Sequence, residues 1–229
     1  MPQARFTAVS DHAVLVQLGD EISDNLNLEI QSLDRAISAA GIEGVLESIP
    51  AFVNILVVFD PLVTDHGSIE AAIKPLLADV SAVQGQGTER LIRVCYDPDL
   101  APDLPTVAAQ AGLSEDAVID MHLSASYRVG MYGFAPGYAY LSGVKDAIQV
   151  PRKPAAVRDV PAGSVIIAGP QCLVTTLTMP TGWSIIGRSP TQILTDDPQH
   201  PFLFDVGDSV RFERIDRATF ETEKSACHG

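Results

Sequence analysis

The residues best suited to chemistry crowd into one stretch of the chain. Between positions 125 and 190 lie six bases, Arg128, Lys145, Arg152, Lys153, Arg158 and Arg188, against two acids, Asp146 and Asp159. This is a local +4 inside a chain of formal net charge −14. Such an excess favours an anionic ligand, and the planar arginine fork suits a carboxylate or phosphate. A solvated face is the plainer reading of the same count. Tyr127, Tyr132, Phe134, Tyr138 and Tyr140 are interleaved with Gly130, Gly133, Gly137 and Gly143, which would let a ligand approach the main chain. Tyr138 and Tyr140, two apart, either share one face of a core strand or line a cleft from a loop.

His122 precedes this stretch, and its ordinary pKa near neutrality suits an acid, a base or a donor to phosphate. A lone histidine is as readily a structural group. Gln171 can read the edge of an amide or lactam, whereas Asp208, after Gly207, suits the closing of a turn before a strand. No phosphate-binding Gly-x-x-x-x-Gly-Lys loop, Gly-x-Ser-x-Gly elbow or His-Glu-x-x-His helix occurs, which argues against a self-sufficient hydrolase. Gln84-Gly85-Gln86-Gly87 resembles the start of a dinucleotide fingerprint, but Arg90 stands where its last glycine belongs and a strand follows. Cys95, Cys172 and Cys227 are too few and too far apart for a disulfide framework or a Cys-x-x-Cys metal site. No metal site is expected.

The elements that must position these residues read as α+β. Ala13 to Leu18 suits a strand, and Leu26, Ile30, Leu33 and Ile37 fall on one helical face, with Asp24 as cap and Gly41 as stop. Val45 to Ile49 and Val53 to Phe59 suit two strands around Pro50, followed by a helix capped by Ser68 and interrupted at Pro75. The glycine-rich run Gln84 to Thr88 is the best linker, dividing the chain into 1–84 and 88–229. Beyond it, Leu91 to Tyr96 suits a strand, and Asp103 and Ser114 offer caps for two short helices ending near Met121. From Tyr127 onward, short β-rich runs alternate with Gly-Pro turns, as in a compact barrel or sandwich.

At 46% apolar and 19% charged residues, the chain should fold into a globular structure with a substantial core. Its acidity opposes attraction to nucleic acid or to anionic membranes. No apolar run approaches the length of a membrane span, and the opening Met1-Pro2-Gln3-Ala4-Arg5 lacks a signal-like apolar region, so a soluble cytoplasmic protein is expected.

The run from His122 through Tyr127 to Gly133-Phe134-Ala135-Pro136-Gly137-Tyr138-Ala139-Tyr140-Leu141 closely resembles the His-x4-Tyr and Gly-Phe-x-Pro-Gly-Phe-x-Tyr-Leu segments of the KipI, or allophanate hydrolase subunit 1, family. Pro151-Arg152, Val160-Pro161-Ala162-Gly163, Gln171, Gly182-Trp183, Gly187-Arg188 and Gly207-Asp208 extend the resemblance in order. The resemblance implies a small N-terminal α/β-sandwich domain followed by a cyclophilin-like β-barrel of carboxyltransferase type. It implies a component of an ATP-dependent 5-oxoprolinase-type complex, with ATP and Mg2+ bound at an interface. The partners it implies are a sister carboxyltransferase-like subunit of the allophanate hydrolase subunit 2 type and a lactam-hydrolase subunit, jointly converting 5-oxoproline to glutamate. Other relatives imply a sensor histidine kinase inhibitor or a urea amidolyase-related subunit. On this resemblance His122, Arg152 and Arg188 are the expected catalytic groups. Tyr127, Phe134, Pro136, Gly137, Tyr138 and Gln171 are expected to shape the site. The chain departs from the family pattern at Ala156-Val157, at Cys172 to Thr176 and at Thr181.

Overall fold

The computed structural model describes residues 4–78, 80 and 87–226. The linker residues Gln84 to Gln86 and the tail pair Cys227-His228 lie outside the described residues. The chain divides into two compact units, Met1–Gln86 and Gly87–Gly229.

The first unit contains β1 (Arg5–Ser10), β2 (Ala13–Gln17), α1 (Asp24–Ala40), β3 (Val45–Pro50), β4 (Asn54–Phe59) and α2 (His66–Leu76). The strands form an antiparallel sheet in the order β1-β2-β4-β3. Alternation places Val14, Val16, Ile55, Val57 and Phe59 in one core with Ile30, Leu33 and Ile37 of α1 and Ile69 and Ile73 of α2. The cap of α1 is Ser23, whose side chain accepts from the Leu26 amide, and Gly41 ends the helix in the left-handed region as expected. The cap of α2 is Asp65, which accepts from the Ser68 amide, so the helix begins ahead of the expected start. Pro75 falls in its final turn, where the chain is about to leave the helix.

The second unit opens with β5 (Glu89–Val94), α3 (Leu104–Ala111) and α4 (Glu115–Leu123). It continues through β6 (Tyr127–Tyr132), β7 (Ala139–Ser142), β8 (Val157–Val160), β9 (Ser164–Ala168), β10 (Gln171–Val174), β11 (Met179–Thr181), β12 (Ser184–Arg188), β13 (Ser209–Arg214) and α5 (Arg217–Ala226). Seven strands make one sheet in the order β12-β9-β10-β7-β6-β13-β5, with only the β13–β5 pair parallel; β8 and β11 form a separate ribbon.

The seven-stranded sheet curls until its two edges meet. The Cys95 amide donates to the Arg188 carbonyl at 2.8 Å and the Arg188 amide donates back at 2.9 Å. This seam makes the sheet nearly a closed barrel. It requires Gly187, because a Cβ there would lie 2.7 Å from a methyl of Val94.

β9 is buried along its whole length, and the reason is a core on each side. Val165 and Ile167 face Val94, Leu141, Val174 and Phe212, with α3 and α4 packed over them through Val107 and Val118. Ile166 and Ala168 face the other way, against Leu173, Trp183, Tyr138 and the β8–β11 residues Val160 and Met179. Such two-sided burial gives a continuous apolar run rather than alternation.

Candidate functional site

A cavity of about 370 Å³ opens where the Gly163 turn, the segment following β10, the end of β12 and α5 converge. Its wall includes Thr175, Thr176, Arg188, Thr191, Ile193, Leu194, Phe220 and Lys224. Gly163, at φ 80°, laces these parts together: its amide donates to the Thr175 carbonyl at 2.6 Å and its carbonyl accepts from the Ser189 amide at 2.8 Å. A Cβ at this position would lie 2.3 Å from the Ser189 carbonyl oxygen, so only glycine permits the approach. Arg188 stands at the barrel seam, and its Nε donates to the Ala162 carbonyl at 3.2 Å. No carboxylate lies within ion-pair distance of this half-buried guanidinium among the described residues. Burial lowers its pKa, with Glu221 opposing the shift and Arg217 adding to it.

Beside the cavity runs an aromatic ridge. Phe134 and Tyr138 have ring centroids 5.5 Å apart, Tyr138 and Tyr140 5.8 Å, and Tyr140 and Trp183 5.9 Å. The Arg152 guanidinium lies over Trp183, 5.6 Å from the ring centroid, in cation–π geometry. Burial pushes the Tyr138 hydroxyl up to about 12, Tyr140 adding to the shift and Arg152 opposing it. Phe134 is 74% exposed and holds φ at 71°, a left-handed conformation uncommon for a bulky residue. Pro136, also exposed, accepts at its carbonyl from the Thr176 hydroxyl at 2.8 Å, and Gly137 packs close to Leu194. The ridge loop thus borders the cavity wall.

The two expected groups at the start of the motif sit elsewhere. His122 has no exposed surface; its Nδ1 lies 2.7 Å from the Tyr96 hydroxyl and its Nε2 3.7 Å from Cys172 Sγ. Its ring is tilted against Phe212 at 4.3 Å, and burial depresses its pKa to about 3. It is a neutral imidazole with one nitrogen accepting and the other donating. Tyr127 is equally enclosed, its hydroxyl donating to the His122 carbonyl at 3.2 Å. Burial pushes Tyr96, Tyr127 and Cys172 upward, so the network holds no ready charge. In this geometry both residues are enclosed in the interior of the second unit. Gln171 begins β10, paired with Ala168 and Ser142, at the end of the strand away from Thr175.

The local +4 does not converge on one pocket. Lys153 is paired with Asp103 at 2.5 Å, Arg128 donates to the Gly207 carbonyl at 3.0 Å, and Lys145 donates to the Ser124 hydroxyl at 2.8 Å. Of the six bases, Arg188 alone lines the cavity and Arg152 the ridge, while Arg158 lies exposed on β8. Asp208 is a turn-closing group, accepting from the amides of Thr88 and Asp205 and from Arg90 Nε. Sequence reasoning missed Phe220 and Lys224 altogether. The one signal for them was Asp216 ahead of Thr219 and Phe220, since the Asp216 carboxylate caps α5 by accepting from the Thr219 amide.

A family defined as the carboxyltransferase domain, subdomain C and D, matches residues 4–204, and the chain belongs to it. Among curated relatives, the B-type subunit of 5-oxoprolinase from Bacillus subtilis (strain 168) is 32% identical over 228 residues, covering 94% of this chain and 95% of its own. The solved structure of TTHA0988 superposes with a TM-score of 0.78 at 32% identity over 90% of this chain, which spans 40% of that longer one. The Kluyveromyces lactis urea amidolyase shares the fold, with a TM-score of 0.79 at 16% identity over 96% of this chain, which corresponds to 15% of that enzyme. Among the described residues no helix is long and apolar enough to cross a membrane, and no cluster of three His, Cys, Asp or Glu side chains could hold a metal ion.

Proposed function

We propose that this chain is the B-type subunit of an ATP-dependent 5-oxoprolinase complex, which opens the lactam of 5-oxoproline to glutamate in the cytoplasm. The observation that carries this reading is the near end-to-end match to the Bacillus subtilis 5-oxoprolinase chain, 32% identical with 95% of that relative covered. The second unit is read as a cyclophilin-like barrel whose cavity and ridge form one half of a site. A sister carboxyltransferase-like subunit completes it, together with a lactam-hydrolase subunit.

The chemistry of the chain supports a shared site. A space of about 370 Å³ suits a small ligand, and the sequence contains no phosphate-binding loop. ATP is therefore assigned to the interface with the sister subunit, where Arg152 and Arg188 would face its phosphates or the substrate carboxylate. When bound, ATP supplies the phosphoryl group that activates the lactam carbonyl. The described residues offer Mg2+ no cluster of three or more His, Cys, Asp or Glu ligands. Arg188 would hold the anion, and the Phe134 to Tyr138 loop would exclude water from the apolar side. His122 and Tyr127 enter only as the interior braces that fix β6 and β10.

The test is ATP-dependent turnover of 5-oxoproline by the reconstituted complex, with each component omitted in turn. Turnover should require this chain and should fall in Arg188→Ala and Arg152→Ala. Full activity without the chain would refute the reading.

A further inference from the structure

Phe220 is the one buried residue of α5. It enters a small core with Cys95, Leu100 and Ile215 that is separate from the large core of the barrel. The Arg217 guanidinium and the Lys224 ammonium lie over its ring, 6.0 Å and 5.8 Å from the centroid. The helix is also tied down by ion pairs. Arg217 is held by Asp99 at 2.8 Å and lies 4.0 Å from Asp97, while Glu223 pairs with Arg93 of β5. None of these side chains is buried, so each pair contributes little and is screened by salt. A helix of 10 residues has little stability of its own. α5 is therefore fastened by one aromatic plug and a set of surface charges, whereas the neighbouring Val94 belongs to the large core.

What the plug covers gives this weakness a consequence. Cys95 has no exposed surface and pairs with Arg188 at the barrel seam. Burial holds its thiol above the ordinary pKa, so the closed form resists alkylation. Phe220 is at the same time part of the wall of the cavity that Arg188 lines. The Ile215 amide, donating to the Val94 carbonyl at 2.9 Å, fixes the chain just ahead of the helix, which places a pivot after Ile215. We propose that α5 is a strap that opens as a unit ahead of the barrel, withdrawing Phe220 from both the Cys95 slot and the cavity wall, and that the ion pairs of Arg217 and Glu223 latch it shut. Entry to the cavity then eases as ionic strength rises. The strap follows from the packing of the helix and does not depend on the 5-oxoprolinase reading.

The experiment is alkylation of the full chain with N-ethylmaleimide, read by peptide mass spectrometry in a Cys227→Ser background that leaves Cys95 and Cys172 as the two thiols. Cys172 lies in the large core and reports opening of the barrel itself. The parent, Arg217→Ala, Arg217→Lys and Glu223→Gln are compared at about 0.05 M and about 1 M sodium chloride. Cys95 should react well ahead of Cys172 and faster in high salt. Its rate should rise roughly threefold to tenfold in Arg217→Ala and in Glu223→Gln, and Arg217→Lys should recover most of the difference. Hydrogen exchange should show the α5 amides losing protection in the same order while β9 keeps its own. Cys95 and Cys172 reacting in step, or a Cys95 rate that neither salt nor Arg217→Ala changes, overturns the strap. Equal acceleration of both thiols in Arg217→Ala also counts against it, because that marks loosening of the whole unit, and turnover of 5-oxoproline by the complex bears on none of these outcomes.

Discussion

His122 should make this protein sensitive to mild acid. In the folded chain its pKa is about 3, from burial, against 6.5 for the free side chain. Between these values the unfolded chain binds a proton that the folded chain does not. Stability is therefore complete above 6.5 and is lost progressively as pH falls toward 3. At about pH 4.5 the loss from this one group is about 2–3 kcal/mol, near two pH units at about 1.4 kcal/mol each. The assay is urea unfolding at about pH 7 and about pH 4.5 for wild type and His122→Gln, with the difference of differences isolating the imidazole from every other titrating group. Wild type should lose about 2–3 kcal/mol more than the variant over that interval. The His122 ring proton should also show no titration by NMR across the same range in the folded wild type. Parallel profiles, or a ring that titrates near its ordinary value, would refute the reasoning and reopen a solvent-facing role for this histidine.

Asp208→Ala removes one carboxylate that serves the Thr88 and Asp205 amides and Arg90 Nε. It should cost about 3 kcal/mol, toward the lower end for a buried pair because Arg90 keeps some exposure, read as a shift in urea midpoint. Gly187→Ala places a methyl 2.7 Å from Val94 at the barrel seam, and should cost about 1–3 kcal/mol in the same assay.

The sequence showed the strands and helices that carry strong periodicity, because their burial follows from local pattern. Val53 to Phe59 and the α1 face are legible for that reason. Asp103 shows where legibility stops. It stands at a helix start, as expected of a cap, yet makes no side-chain cap bond; its carboxylate instead accepts from the Ile185 amide and pairs with Lys153. Both partners are distant in sequence, so no local rule could select them over the cap. The run of bases is divided similarly, with Arg188 on the cavity wall, Arg152 over Trp183 and Lys153 paired with Asp103. The aromatic run gave a mixed result. Tyr138 and Tyr140 do share one face, with Ala139 and Leu141 on the other, but that face belongs to the smaller core and not to the barrel interior. α5 was missed because Phe220 is its one buried residue, too little for a periodic signal.

The seam between Cys95 and Arg188 separates inheritance of the scaffold from choice of ligand. Both of its bonds run between main-chain atoms, and the neighbouring Gly187 secures the approach. The side chain at position 188 thus takes no part in closing the barrel, although it stands at the cavity wall. A designer, or selection, can rewrite the charge presented there, by Arg188→Gln or Arg188→Glu, without renegotiating the architecture that holds it. The position is an adjustable reading head on a fixed frame.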